Sequence, residues 1–102
     1  MAWRKHEIIW TPEVRLDLLK IAEQNSMEVA DCLRESMRRY ANRGFGDVLD
    51  PMTAGPWRGL SRLKPANADE YRIIFTRFPM QALIRVERVR LRPVVYLDPP
   101  PR

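Results

Sequence analysis

Six cations in the second half of the chain have types and spacings suited to phosphate. Arg62 and Lys64 stand one residue apart, Arg72 follows Tyr71, and Arg88, Arg90 and Arg92 alternate through "RVERVRLRPVVY". Arginine offers a planar fork that grips phosphate oxygens two at a time. Lysine carries a compact ammonium that, unlike arginine, can give up its proton. Arg58 adds a further cation, and Trp57, Tyr71, Phe78 and Tyr96 place aromatic rings among them. Unpaired RNA bases stack on such rings.

The distribution of charge supports this focus. Residues 57–96 carry nine Lys/Arg against three Asp/Glu, whereas residues 1–56 carry eight against nine. A basic half beside a nearly neutral half is the electrostatic footprint of a polyanion binder. Codon usage explains a preference for arginine over lysine, but it does not segregate the charge. The remaining composition, 45% hydrophobic and 30% charged over 102 residues, fits one globular domain. The absence of a long apolar run and of a signal-like N-terminus predicts a cytoplasmic protein with no membrane span. One cysteine, Cys32, and one histidine, His6, make neither a disulfide nor a metal site, so no metal and no cofactor are expected.

These cations need elements to hold them. Residues 6–10, HEIIW, read as a strand. Thr11 and Pro12 then open a helix, PEVRLDLLKIAEQ, with Val14, Leu18, Ile21 and Ala22 on one face and Leu16 and Leu19 widening the stripe. Ser26 caps a second helix, MEVADCLRESMRRYANR, and Gly44 sits where a left-handed C-terminal cap belongs. Val29, Ala30, Leu33, Met37, Tyr40 and Ala41 form its stripe, with Met27 also expected in the core. Residues 45–56 read as a loop rich in glycine and proline. The period then changes to two, giving strands over 57–64, 71–78 and 82–91, with turns over 65–70 and 78–81. Residues 97–102 form a proline-rich, irregular tail.

The expected fold is therefore α+β, in the order β-α-α-β-β-β, as one domain over residues 1–96. The N-terminal strand and helical hairpin would pack on one face of a small antiparallel sheet. In the last strand, Ile84 and Val86 share a parity that continues as Arg88, Arg90 and Arg92, so the strand is expected to leave the core as its charges begin. Arg72 has the parity opposite to Tyr71, Ile73 and Phe75, while Arg62 and Lys64 share one. Cations from three strands would then meet on the face away from the helices.

In "SRLK", "EYRIIF" and "RVRLRPVVY", and in element order over residues 5–96, the chain resembles the RelE/ParE superfamily of toxin–antitoxin toxins. The RelE branch, which cleaves mRNA in the ribosomal A site, has a basic pair, a Tyr-Arg arginine, a strand-end arginine and a tyrosine six residues later. Arg62 and Lys64, Arg72, Arg90 and Tyr96 occupy those places. The resemblance implies a metal-independent endoribonuclease, in which the RNA 2′-hydroxyl attacks the adjacent phosphorus and leaves a 2′,3′-cyclic phosphate. Lys64 would be the base, since Arg62 is never neutral. Arg62, Arg72 and Arg90 would stabilise the phosphorane, and Tyr96 would stack on a base or orient the nucleophile. Arg58, Arg88, Arg92, Tyr71 and Trp57 would bind flanking RNA. The implied partners are a cognate antitoxin and mRNA on the ribosome.

Two other functions share this expected fold. One is a ParE-like inhibitor of DNA gyrase, which does not cleave RNA. The other is a non-catalytic module that holds nucleic acid or an acidic partner on the basic face. Among the remaining polar residues, Glu70 and Glu87 are expected to orient arginines, and His6 and Cys32 to be structural.

Overall fold

A computed structural model describes residues 2–49, 51 and 58–92. Strand β1 (Glu7–Trp10) leads into helices α1 (Pro12–Gln24) and α2 (Met27–Arg43), followed by β2 (Asp47–Leu49), β3 (Ser61–Lys64), β4 (Tyr71–Phe78) and β5 (Leu83–Leu91). The class is α+β, as the periodicity predicts. Both helices have the expected bounds because their ends are chemically marked. The Thr11 side chain accepts from the Val14 amide, Ser26 accepts from Val29, and Gly44 closes α2 at φ +73° with its amide on the Tyr40 carbonyl.

The sheet differs from expectation in two ways. Its order is β1-β5-β4-β3-β2, and β1 forms one edge of it, pairing parallel to β5 from Glu7↔Leu83 to Trp10↔Val86. The N-terminal strand is thus part of a mixed sheet and does not pack on its face. Second, three residues of the expected loop form β2, antiparallel to β3, and the strand sought over 57–64 begins only at Ser61. Arg58 and Gly59 form a turn before it.

The helical hairpin covers one face of this sheet. Val14, Leu18 and Ile21 from α1 and Ala30, Leu33, Met37, Tyr40 and Ala41 from α2 join Leu63, Tyr71, Ile73, Phe75, Ile84, Val86 and Val89 in one core. Leu16, Leu19 and Met27 are more than half exposed, so the apolar stripes are narrower than expected. The N-terminal segment latches onto this core through Trp3, whose indole Nε1 donates to the Ala41 carbonyl at 2.9 Å. His6 stacks on Trp3 at 4.7 Å, and the Arg77 guanidinium lies 4.5 Å from the Trp3 ring centroid. Arg77 Nε donates to His6 Nε2 at 3.1 Å, leaving Nδ1 to donate to the Arg4 carbonyl. His6 is therefore structural, as expected.

Two consequences can be measured. A Cβ on Gly44 would lie 2.7 Å from the Trp3 ring, at a φ that side chains disfavour. Gly44→Ala should cost about 1–3 kcal/mol in urea denaturation and alter the near-ultraviolet tryptophan signal. Burial also pushes the Tyr40 phenol above its ordinary value of 10.0, with Arg77 opposing in part. The folded state then holds that proton more tightly than the unfolded chain, so stability falls as pH rises beyond that value. The urea midpoint should drop between about pH 9 and pH 11, and by less in Tyr40→Phe.

Candidate nucleic-acid interface

The helix-free face of the sheet is assembled by a single irregularity in β5. Phe75 pairs with Val86 and Ile74 with Arg88, so Glu87 is an extra residue, a β-bulge. The bulge reverses side-chain parity within the strand. Val86 and Val89 consequently both enter the helix-side core, while Arg88 and Arg90 turn to the opposite face. Simple alternation assigns Arg88 and Arg90 to the face of Ile84 and Val86. The inserted residue overturns that expectation. Glu87 itself is buried, accepting from Thr76 Oγ1 at 2.9 Å and from Arg85 Nε at 3.0 Å.

Cross-strand register then sets the cations in two rows, since directly opposite residues share a face. Leu49, Arg62, Ile74 and Arg88 follow one another across β2, β3, β4 and β5. In the next row Asp47 is opposite Lys64, and Arg72 is opposite Arg90. The β3–β4 register carried one residue further sets Lys64 beside Arg72. The sheet therefore brings Arg62, Lys64, Arg72, Arg88 and Arg90 onto neighbouring positions of one surface.

Like charges directly opposite one another repel, and the fold answers this differently for each member of the second row. Arg72 is buried. Its Nη1 donates to the Tyr71 carbonyl at 2.7 Å and to the Asp69 carbonyl, which ties the 65–70 turn to β4. Its buried Nε has no hydrogen-bond partner among the described residues. Arg90 is drawn to Asp17 on α1, with Nε 3.2 Å from Oδ1. The same carboxylate receives Arg88 in bidentate fashion, at 3.0 Å from Nε and 2.9 Å from Nη2.

Asp17 is the residue that sequence reasoning missed. β1 ends opposite Val86, so the edge of β5 beyond it is open. Helix α1 takes over there. Thr11 Oγ1 donates to the Val86 carbonyl at 2.8 Å, and Asp17 Oδ2 accepts the Val89 amide at 3.0 Å. With four donors on its two oxygens, Asp17 is 3% exposed. The signal was present: Asp17 occupies a position of the α1 stripe between Val14 and Leu18, where an apolar residue belongs.

Other expected residues are placed apart. Tyr71 was expected to offer a stacking ring, but it faces the helices, is buried, and its hydroxyl accepts from Asn25 Nδ2 at 3.3 Å. It is a core residue because its parity matches Ile73 and Phe75. Arg58 is exposed in the turn before β3, and Arg92 is exposed with its amide on the Glu70 carbonyl. Trp57 and Tyr96 lie outside the described residues, as does the proline-rich tail. Among the described residues no group of His, Cys, Asp and Glu could hold a metal ion, and no helix is long and apolar enough to cross a membrane.

Removing the Asp17 carboxylate would strand two guanidinium groups and a strand-edge amide. Asp17→Ala should therefore cost about 3–5 kcal/mol in urea denaturation, and Asp17→Asn, which keeps an acceptor for the amide, less. Hydrogen exchange at the Val89 amide should rise in Asp17→Ala beyond the global loss of stability.

No protein-family model matches the chain, no curated protein is found similar to it, and no solved structure matches its fold.

Proposed function

We propose that the protein binds RNA on its helix-free face and acts as a RelE-like toxin, a ribosome-dependent mRNA endoribonuclease countered by a cognate antitoxin. The observation that carries this reading is the pair of cationic rows, with Arg62, Lys64, Arg72 and Arg90 on adjacent positions of three neighbouring strands. These are the residues on which the family resemblance rests. In this reading Lys64 takes the proton of the RNA 2′-hydroxyl as that oxygen bonds to phosphorus, and Arg62 and Arg90 meet the charge that develops on the phosphorane. The P–O5′ bond then breaks, with the 5′-oxygen taking a proton from water. Arg72 fixes the turn and adds its charge from beneath the surface. No metal enters the scheme, and the protein works where translating ribosomes are, in the cytoplasm.

A second reading is a non-catalytic binding module of the same fold. It is favoured by the engagement of Arg88 and Arg90 with Asp17 and of Arg72 with backbone carbonyls, which makes three guanidinium groups part of the scaffold.

A reconstituted translation reaction, with mRNA 5′ ends mapped after adding the purified protein, separates these readings. The toxin reading expects cuts within the translated frame, cyclic phosphate ends, and a loss of about 100-fold or more in Lys64→Gln. Arg62→Gln should lose about 10–100-fold. Uncut message with undiminished translation would reject it. Salt-sensitive RNA retention without cleavage would select the binding module, and inhibited DNA supercoiling with intact message would select a gyrase inhibitor.

A further inference from the structure

An arginine tied to a carboxylate is ordinarily lost to phosphate, because the two anions compete for the same donors. The geometry around Asp17 departs from that rule. Arg88 meets the carboxylate along one edge of its guanidinium, through Nε at 3.0 Å and Nη2 at 2.9 Å. A planar fork held along that edge has its Nη1–Nη2 edge fixed in direction. Arg90 meets the carboxylate through Nε at 3.2 Å. The two arginine side chains keep 18% and 30% of their surface exposed, against 2% for Asp17. The anchor is thus buried behind groups that solvent and ligands still reach. One carboxylate shared by two guanidinium groups also leaves the cluster cationic.

The same contacts govern the spacing of the second row. Arg72 and Arg90 are directly opposite in the ladder, and their repulsion would be relieved if either swung away. Arg72 is buried and tied to the Tyr71 and Asp69 carbonyls, so it stays. Arg90 has somewhere to go. A recess of about 480 Å³ opens beside it between α1 and β5, and the Glu23 carboxylate lines that recess too. Asp17 keeps Arg90 from turning to this competing acid. The buried Nε of Arg72 has no hydrogen-bond partner among the described residues. An unpaired buried donor on a cation is unfavourable, and an oxyanion arriving between the two arginines would supply its partner.

We infer that Asp17 is a positioning residue for phosphate, an inference that rests on the RNA reading above. It touches no ligand itself. It fixes Arg90, with Arg88 in the adjoining row, so that one phosphodiester of the bound strand is received between Arg90 and Arg72. Without the carboxylate the face gains positive charge but loses this arrangement. Two unanchored guanidinium groups still attract a long polyanion, yet they no longer converge on one group. Fixed donors matter most to a ligand with a single phosphate and least to one with many.

The test compares two probes on the same samples of wild type and Asp17→Asn. One is a 2′-O-methylated UpU dinucleotide, which has one phosphate, titrated by NMR on the Arg72 and Arg90 amides. The other is a labelled 2′-O-methylated uridine hexamer, followed by anisotropy. In Asp17→Asn the dinucleotide should bind about 10-fold more weakly. The hexamer should bind as well as before or more tightly, because the net charge has risen. Lost stability alone leaves the ratio of the two affinities unchanged, and added charge alone tightens both. A measurement on wild type is independent of whether the variant folds: saturation with dinucleotide should not speed hydrogen exchange at the Val89 amide, since Asp17 keeps its place. Faster exchange there would overturn the positioning role, because phosphate would then be displacing the carboxylate. An unchanged ratio, or a tighter dinucleotide in Asp17→Asn, would overturn it while leaving the RNA face standing. Dinucleotide binding that depends on Asp17, without hexamer binding, would keep the positioning role and reject the RNA reading. Wild type that binds neither probe would reject both.

Discussion

A buried carboxylate organises this domain. Asp17 must lose its hydration to sit between α1 and β5, and a carboxylate does so only when its oxygens are supplied with donors. Arg88, Arg90 and the Val89 amide supply them. The consequence extends in two directions. On the scaffold side, the contact seals the stretch of β5 edge that β1 does not reach. On the surface side, it offsets the repulsion between Arg90 and Arg72, which lie directly opposite in the ladder. The cationic rows exist because an anion behind them makes their close spacing tolerable.

The Glu87 bulge and the Asp17 carboxylate depend on each other. Without the inserted residue, Arg88 and Arg90 would share the face of Val86 and point at the helices, where guanidinium groups have no apolar place. Without Asp17, the strand beyond the bulge would have an open amide edge and two adjacent cations with less to hold them. The Glu87 carboxylate is itself satisfied by Thr76 and Arg85, so its burial strands no charge. The two acids thus serve opposite ends of one transition, from a strand packed on helices to a strand carrying charge.

Much of this was legible in the residues, and the reasons are local. Thr11-Pro12, Ser26 and Gly44 are chemical markers of helix ends, and α1 and α2 begin and stop where they say. The alternation of YRIIFTRF fixed β4 and the opposite parity of Arg72. What escaped was non-local. A three-residue strand, β2, lies among glycines and prolines and is a strand only because β3 pairs with it. Nothing within EIIW says that it will run parallel to β5. The bulge is invisible to a count of alternation, because Val86 and Val89 each look like ordinary strand residues. Asp17 was readable in principle, as an acid in an apolar stripe, but its partners lie more than seventy residues away, at separations of 71 to 73.

Those separations bear on how the domain comes into being. Thr11 meets Val86 across 75 positions, and β1 completes its pairing only with the last strand of the sheet. Contacts between distant parts of a chain demand loop closure before they return any stabilisation, so they form late. An emerging chain can wind its two capped helices early, and β3 and β4 can meet soon after they are made. It cannot seat Asp17 or set Arg72 against Arg90 until β5 has been synthesised. The charged surface is therefore a property of the finished chain alone, created in the same step that closes the fold.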